Sequence, residues 1–462
     1  MVTPFPFFRF LLRDARAQTE MVYPWQLPSI MRKHIITGAM GMLFFALLSG
    51  MYLVSFGSHL GIPYWQWGVL SAASSFVLLL QLPSAYLVSR TGNRRTLWYA
   101  TSLISRLVRG FAIATAFVLA GFSGQAARTV FILLLVVANC FDAIANPPWF
   151  SWLADIIPER EQGRFWGRRA AWINLANAIV LMPIGFAMDR VRQDYKLSGL
   201  LTVFAFGFVI GILDLVIHRT IPEPPMPIPP RKPFWREVKA PLSDSRFRPW
   251  LVFDGLWTFG MALGGSLAMV YFVENIGIKQ DYTGGTLVLI VIPLLATVLT
   301  AQWLGILVDE KGVKRMMFWG YALWATIPAF WILAGNAGRL TWLAVGGVLG
   351  TVGAQGAMTA VNKLITRLPP SSGHVSMYFA VTTCVEAVTG GLGALSAGVL
   401  LHALKNWSWQ VGGITVIGFH VLFAASFVLR GLSLLAISPI PEPGRLARVP
   451  SPQGARPPAP TS

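Results

Sequence analysis

The chain has 462 residues, of which 55% are hydrophobic and only 12% charged, with a formal net charge of +18 and a mean hydropathy of +0.59. A soluble globular chain carries about 25% charged residues, so the composition excludes that class and points to an all-α polytopic membrane protein. A membrane β-barrel would show roughly 10-residue alternating segments, and none are visible in this sequence.

Taken in order, segment 1–34 begins with Phe5-Pro6-Phe7-Phe8, interrupted by Arg9 and Arg13. It lacks a small-residue cleavage site and reads as an interfacial anchor, not a signal peptide. Six apolar runs follow at about 35–57, 65–88, 97–121, 129–154, 169–188 and 198–217. They form an N-terminal six-helix bundle, 35–218. The loop 219–248 is basic and Pro-rich, opening on Ile221-Pro222-Glu223-Pro224-Pro225, and is expected to be stiff and extended. Six more runs, at about 250–273, 285–308, 315–335, 341–364, 375–401 and 412–430, form a C-terminal bundle, 249–430. A Pro-rich tail, 431–462, has a disordered composition from Pro450 onward.

The twelve runs sort the loop cations. With the N-terminus inside, Lys and Arg number 27 in inside segments and 7 in outside ones. That bias is the positive-inside rule. It puts both termini in the cytoplasm, makes the plasma (inner) membrane the expected location and the bilayer a partner, and removes nucleic acid as an explanation of the charge. Cys140 and Cys384 fall inside apolar runs and read as small core residues, with no metal spacing and no disulfide framework.

Two echoes relate the halves. Gly305-Ile306-Leu307-Val308-Asp309-Glu310-Lys311-Gly312-Val313-Lys314-Arg315 is matched some 220 positions earlier by Ala85-Tyr86-Leu87-Val88-Ser89-Arg90-Thr91-Gly92-Asn93-Arg94-Arg95. Ile440-Pro441-Glu442-Pro443 likewise repeats Ile221-Pro222-Glu223-Pro224. Six spans per half place the copies in the same orientation, as parallel repeats about an axis normal to the membrane.

The stretch Gly305…Asp309…Gly312-Val313-Lys314-Arg315 resembles the loop between spans 2 and 3 of each half of the major facilitator superfamily. Twelve spans, a long central loop and paired halves are similar to that family too. In the first copy Ala85 and Ser89 replace the glycine and aspartate, while Arg90, Gly92, Arg94 and Arg95 remain. Trp152 to Arg164, followed by Arg168-Arg169, looks like the loop after span 4 in many bacterial members. Met182-Pro183-Ile184-Gly185 falls short of the Gly-Pro signature of drug antiporters. The resemblance implies two parallel six-helix bundles moving a small solute by alternating access, with spans 1, 4, 7 and 10 lining the cavity. It gives a gating role to Arg90, Gly92, Arg94 and Arg95 and to Gly305, Asp309, Gly312, Lys314 and Arg315. A monomer without cofactor or metal is expected.

Ionisable groups inside a bilayer cost roughly 2.5–3.5 kcal/mol or more, so they mark function. Arg106 and Arg109 share a face of span 3, Arg106 lying roughly 16 Å from Arg95. An ion pair with Asp142 of span 4 is expected. Asn139, Asp142, Asn146 and Trp149 form one helical stripe, and Pro147-Pro148 predicts a kink or break beside it. This stripe is the leading candidate for the substrate site. Glu386 in span 11, near Thr382, Thr383 and Thr389, is the candidate for a coupling proton or cation. Asp254 and Trp257 in span 7, and Gln355 and Asn362 in span 10, are further cavity candidates. Trp149, Trp152 and Trp257 could stack on a sugar or aromatic solute, and His420 reads as a core histidine.

Three functions are weighed: a secondary transporter coupled to a proton or cation, a transporter-derived sensor or scaffold, and a membrane enzyme. The six histidines are scattered without metal spacing, which disfavours the enzyme. No phosphate-binding loop supports ATP drive. Ser89 for aspartate is the feature on the scaffold's side. Solute, direction and coupling ion are not legible.

Overall fold

The computed structural model describes residues 22–157, 159–224, 234–335, 339–368, 375–411 and 414–442. Among the described residues, twelve helices are long and apolar enough to cross a membrane: spans 1 to 6 at Pro24–Leu60, Tyr64–Val88, Arg94–Ala120, Gly124–Leu153, Arg168–Arg190 and Gln193–His218, and spans 7 to 12 at Arg248–Ile276, Tyr282–Thr300, Val313–Ala334, Arg339–Ile365, Tyr378–Ala403 and Gly418–Ile437. Span 1 begins and span 12 ends on one face, the terminal face.

The packing has a twofold plan. Within the first half, span 3 packs on 4, span 1 on 5 and 6, and span 2 on 4; within the second, span 9 packs on 10, span 7 on 11 and 12, and span 8 on 10. Each of the second set is its counterpart in the first with six added. Between halves, span 2 meets span 11 and span 5 meets span 8, and these two contacts exchange when the halves are exchanged. This is the arrangement of parallel repeats.

Three local expectations are corrected. Span 4 is not broken at its prolines: one helix runs Gly124–Ile156 through Pro147 and Pro148. Pro148 has no N–H for the carbonyl of Ile144, and the Ser84 hydroxyl of span 2 donates to that oxygen instead, at 2.6 Å. The break lies in span 1, where helices Leu27–Leu47 and Gly50–Leu60 are separated by Leu48 and Ser49, with Gly50 at φ +57°. The loop 219–248 is not wholly extended either. A helix occupies Phe234–Ser243, with Val238 packed on the core of the second half. Span 12 starts later than expected because β1 (Ser408–Val411) and β2 (Ile414–Ile417) form an antiparallel hairpin before it. The β-branched run Ile414-Thr415-Val416-Ile417 suits a strand.

The hydrogen bonds between halves lie at mid-depth or toward the face opposite the terminal one, among the described residues. Ser71 Oγ donates to Ser266 O at 3.1 Å and Ser58 Oγ to Glu274 Oε1 at 2.9 Å. Asp189, at the end of span 5, accepts the first backbone N–H groups of span 8, from Tyr282 at 2.7 Å and Thr283 at 2.9 Å. Tyr52 stacks on Tyr282 with ring centroids 5.4 Å apart. The halves are thus joined at that face.

Candidate functional site

A cavity of about 760 Å³ opens between the halves. Asn139, Asp142, Asn146 and Trp149 of span 4 all line it, as do Arg106 and Arg109 of span 3. Their one-face spacing on long helices brings them there. Arg109 Nη2 donates to Asp142 Oδ2 and to Asn139 Oδ1, both at 2.8 Å. Asn139 Nδ2 passes the chain on to Ser74 Oγ of span 2 at 2.8 Å. The expected Arg–Asp pair across spans 3 and 4 therefore exists for Arg109.

Arg106 turns elsewhere. Its guanidinium pairs with Asp214 of span 6. The other oxygen of Asp214 lies 2.8 Å from His218 Nδ1, and His218 Nε2 lies 3.3 Å from Thr37 Oγ1 of span 1. Asp214 and His218 both line the cavity, and neither is among the residues that the sequence singles out. A signal for them exists, since Asp214 is an acid inside an apolar run and His218 follows it by one turn.

The cavity walls carry the cations on aromatic faces. Arg106 Cζ lies 5.3 Å from the ring centre of Phe44, Arg109 Cζ 5.6 Å from that of Phe45, and Arg169 Cζ 4.9 Å from that of Trp149. Such contacts are favourable by about 0.5–2 kcal/mol each, more when water is excluded. Ser49 and Gly50, at the break in span 1, line the same space. A discontinuous helix inside a bilayer is tolerated where it faces a cavity.

The candidates of the second half do not converge there. Asp254 and Trp257 are buried against the interior of their own bundle, Trp257 with its ring 4.5 Å from that of Tyr321. Glu386 is half-buried on span 11. Gln355 lines a separate, open cavity of about 420 Å³ bordered by spans 7 to 10, and Asn362 is exposed on span 10. Among the described residues, span 7 alone reaches the main cavity from this half, through Ser266, Met269 and Val270. Trp152, offered as a stacking residue, is fully buried and donates from Nε1 to Pro222 O at 2.9 Å. His420 is the core histidine expected, 3.2 Å from the Tyr271 hydroxyl. Arg430 of span 12, a charge in an apolar run and not among the sequence-derived candidates, is a further buried charge; it is 1% exposed, and its Nη2 donates to Met261 O at 3.3 Å.

The two echoed loops meet the two echoed half-endings. Gly92 at φ +65° and Gly312 at φ +88° make the turns into spans 3 and 9, in the left-handed region that glycine enters at little cost. Glu223 Oε1 then accepts the backbone N–H of Arg94 at 2.8 Å and of Arg95 at 3.2 Å. Glu442 accepts those of Val313 at 2.9 Å and Lys314 at 3.3 Å. Each acid caps the N-terminus of the third helix of its half, where the helix dipole favours a negative charge.

The copies then differ. Arg94 is fully buried, ion-paired to Asp155 of span 4, and donates to Ser151 O at 3.0 Å and Pro224 O at 2.8 Å. Lys314 reaches the carbonyl of Ser438, and Arg315 is exposed. Asp155 and Glu223 are thus the acids beside the buried Arg94. Gly305 lies in the helix of span 8, with open space beside it. The side chains of Arg90 and Asp309 lie outside the described residues.

A family model described as Major Facilitator Superfamily matches residues 35–299. Among curated proteins, the Anhydromuropeptide permease of Escherichia coli (strain K12) is 26% identical over 216 residues, 46% of this chain and 42% of that protein. The match therefore spans less than half the length of that relative. Among solved structures, the nucleoside transporter NupG superposes with a TM-score of 0.60 at 11% identity, covering 89% of this chain and 98% of that one. The inward open xylose transporter XylE from E. coli superposes with a TM-score of 0.63 at 14% identity, covering 90% and 97%. At such identities the likeness is one of fold.

Proposed function

Because the chain belongs to the major facilitator superfamily, a family of membrane transporters, we propose that it carries a small solute by alternating access, coupled to a proton. The bundles 35–218 and 249–430 would rock about the linker 219–248. The bias of loop cations supports cytoplasmic termini in the plasma (inner) membrane. In that orientation the terminal face is cytoplasmic, the joined face is the outer one, and the cavity is open inward.

The observation that carries the reading is the Arg109–Asp142–Asn139 cluster, held inside the apolar body of the chain yet lining a cavity between halves. A volume of about 760 Å³ suits a small-molecule ligand. Arg106, Arg109 and Arg169 against Asp142 and Asp214 leave one positive charge in excess among the described lining residues. That balance favours a solute bearing a carboxylate or another anionic group. A permease named for anhydromuropeptides among the relatives makes that solute the first probe.

The test is uptake into proteoliposomes under an imposed pH gradient, with anhydromuropeptide first, then a panel of organic anions, nucleosides and pentoses. Accumulation that collapses with the gradient and is lost in Arg109→Ala supports the reading. Accumulation undiminished by Arg109→Ala would remove the cavity as the route.

A further inference from the structure

Spans 7 and 11 cross in the same direction and meet in register. Trp250 Nε1 donates to Thr382 Oγ1 at 3.3 Å, a pair 132 residues apart. Two turns on, a methyl at Gly390 would lie 3.3 Å from Thr258 Cγ2, a contact of the same separation. A Cβ at Gly255 would stand 3.2 Å from Val385 and 3.3 Å from Thr389. Asp254 and Glu386 share that separation too, one helical turn beyond Trp250 and Thr382, and so occupy the rung between. Asp254 lies within electrostatic reach of Glu386.

No cation among the described residues is paired with this rung. Asp254 is 3% exposed, and its Oδ2 has no hydrogen-bond partner among the described residues. The groups facing it are few. Tyr321 of span 9 is within reach of both acids. Arg430 of span 12 directs its guanidinium to Met261 O and lies 5.8 Å from the ring centre of Trp257. His420 is engaged by Tyr271, and Lys239 of the linker helix is exposed. Span 2 presents Ser75 and Phe76 to span 11. Two adjacent carboxylates without a counter-cation cannot both be ionised in a nonpolar seam.

We propose that Asp254 and Glu386 share one proton and together form the site through which transport is driven by a proton gradient. This rests on the proton-coupled reading of the preceding subsection and replaces a lone Glu386 with a pair. In the loaded state the carboxylic O–H of one acid donates to the carboxylate of the other and ties spans 7 and 11. Loss of that proton to water entering from the terminal face, roughly 9 Å away along span 7, leaves two negative charges that part the rung. Span 7 continues to Ser266, Met269 and Val270 in the cavity wall, so movement at the seam reaches the solute site.

The experiment needs no solute. The purified full-length chain is titrated in detergent while the infrared carboxyl C=O band and tryptophan fluorescence are followed, Trp250 and Trp257 flanking the pair. Wild type is expected to titrate in two separated steps, as coupled acids do. Read as differences from the double variant, which carries only the chain's other carboxyls, wild type should show both steps and Asp254→Asn and Glu386→Gln one step each. A wild-type titration equal to that of the double variant overturns the site. A single step indifferent to Asp254→Asn overturns the pair. Gel filtration at each pH shows that the near-isosteric variants remain folded. If the two steps appear but no solute on the panel accumulates, the transport reading is in question and the proton site stands. If accumulation is proton-driven and equally so in both variants, the site falls and transport stands.

Discussion

Asp189 at the end of span 5 caps Tyr282 at the start of span 8, its carboxylate 2.7 Å from the Tyr282 backbone nitrogen and 2.9 Å from that of Thr283. One acid thus binds the helix N-terminus of the other half. Helix dipole and exposed N–H groups make that end an anion site, and the bond must break if this face is ever to open. Hydrogen bonds to charged groups contribute about 1.5–3 kcal/mol. Asp189→Ala is therefore expected to shift the equilibrium toward opening at this face by roughly 10- to 100-fold. The readout is the labelling rate of a cysteine placed at Leu53, in the cavity wall, by an impermeant maleimide added at this face, in a background lacking Cys140 and Cys384. An unchanged rate would show that the contact is incidental.

The break in span 1 makes a second expectation. Gly50 holds φ at +57°, and no atom within 4 Å of the position its Cβ would take opposes a methyl sterically. Only backbone strain opposes Gly50→Ala, at about 1–2 kcal/mol. Gly305 has the same open surroundings without the positive φ. Gly50→Ala should lower the thermal midpoint, and Gly305→Ala should leave it unchanged or raised. Equal effects would mean that the strained conformation is not kept in solution.

Glu223 and Glu442 are predicted to be equivalent in kind. Loss of a capping acceptor costs about 0.5–2 kcal/mol, so Glu223→Ala and Glu442→Ala should each destabilise by that order. The sites lie in different halves and share no partner, so the double variant should show the sum to within a few tenths of a kcal/mol. Glu223→Ala should cost more, because it also removes a charge that neighbours the buried Arg94. A larger cost for Glu442→Ala would reverse the ranking. Unfolding in detergent followed by circular dichroism measures all three.

Asp244 supplies a pH dependence outside the membrane-spanning segments. Its partial burial pulls its pKa upward, but the Arg246 backbone N–H at 2.9 Å, the Tyr378 hydroxyl at 2.8 Å and the Arg246 side chain outweigh this and hold it below the ordinary carboxyl value. A depressed folded-state pKa stabilises the fold above the unfolded value of about 3.9, and that contribution is lost as pH falls through the folded value. The stability difference between wild type and Asp244→Asn should therefore be constant near neutrality and shrink below about pH 4. A difference that grows on acidification would contradict the assignment.

Much of this is legible because apolar runs make exceptions conspicuous. Arg109 and Asp142 stand out in a sequence that is 12% charged, and their helical spacing predicts the meeting that the structure shows at 2.8 Å. The same logic, applied to every charge in an apolar run, also finds Asp214 and Arg430. The echo around Glu223 and Glu442 is visible in the sequence, but its purpose is not, since Glu223 caps a helix 129 residues before it. Ser84 serving the carbonyl above Pro148 is hidden for the same reason, and so of the kink or break that the sequence predicts at Pro147-Pro148 the break does not occur. The true break, at Ser49-Gly50, carries no proline to announce it. Register between spans 7 and 11, which turns two separate acids into one rung, exists only in three dimensions.

Alternating access is tested most directly by two distances measured in one protein by pulsed electron resonance. One spin-label pair, at Arg190 and Lys279, reports the face joined by Asp189; the other, at Arg168 and Lys311, reports the terminal face. All four residues are exposed. Across a change of pH, or between wild type and Asp189→Ala, one distance should lengthen as the other shortens. Distances that stay fixed, or that lengthen together, would contradict transport by two rocking halves.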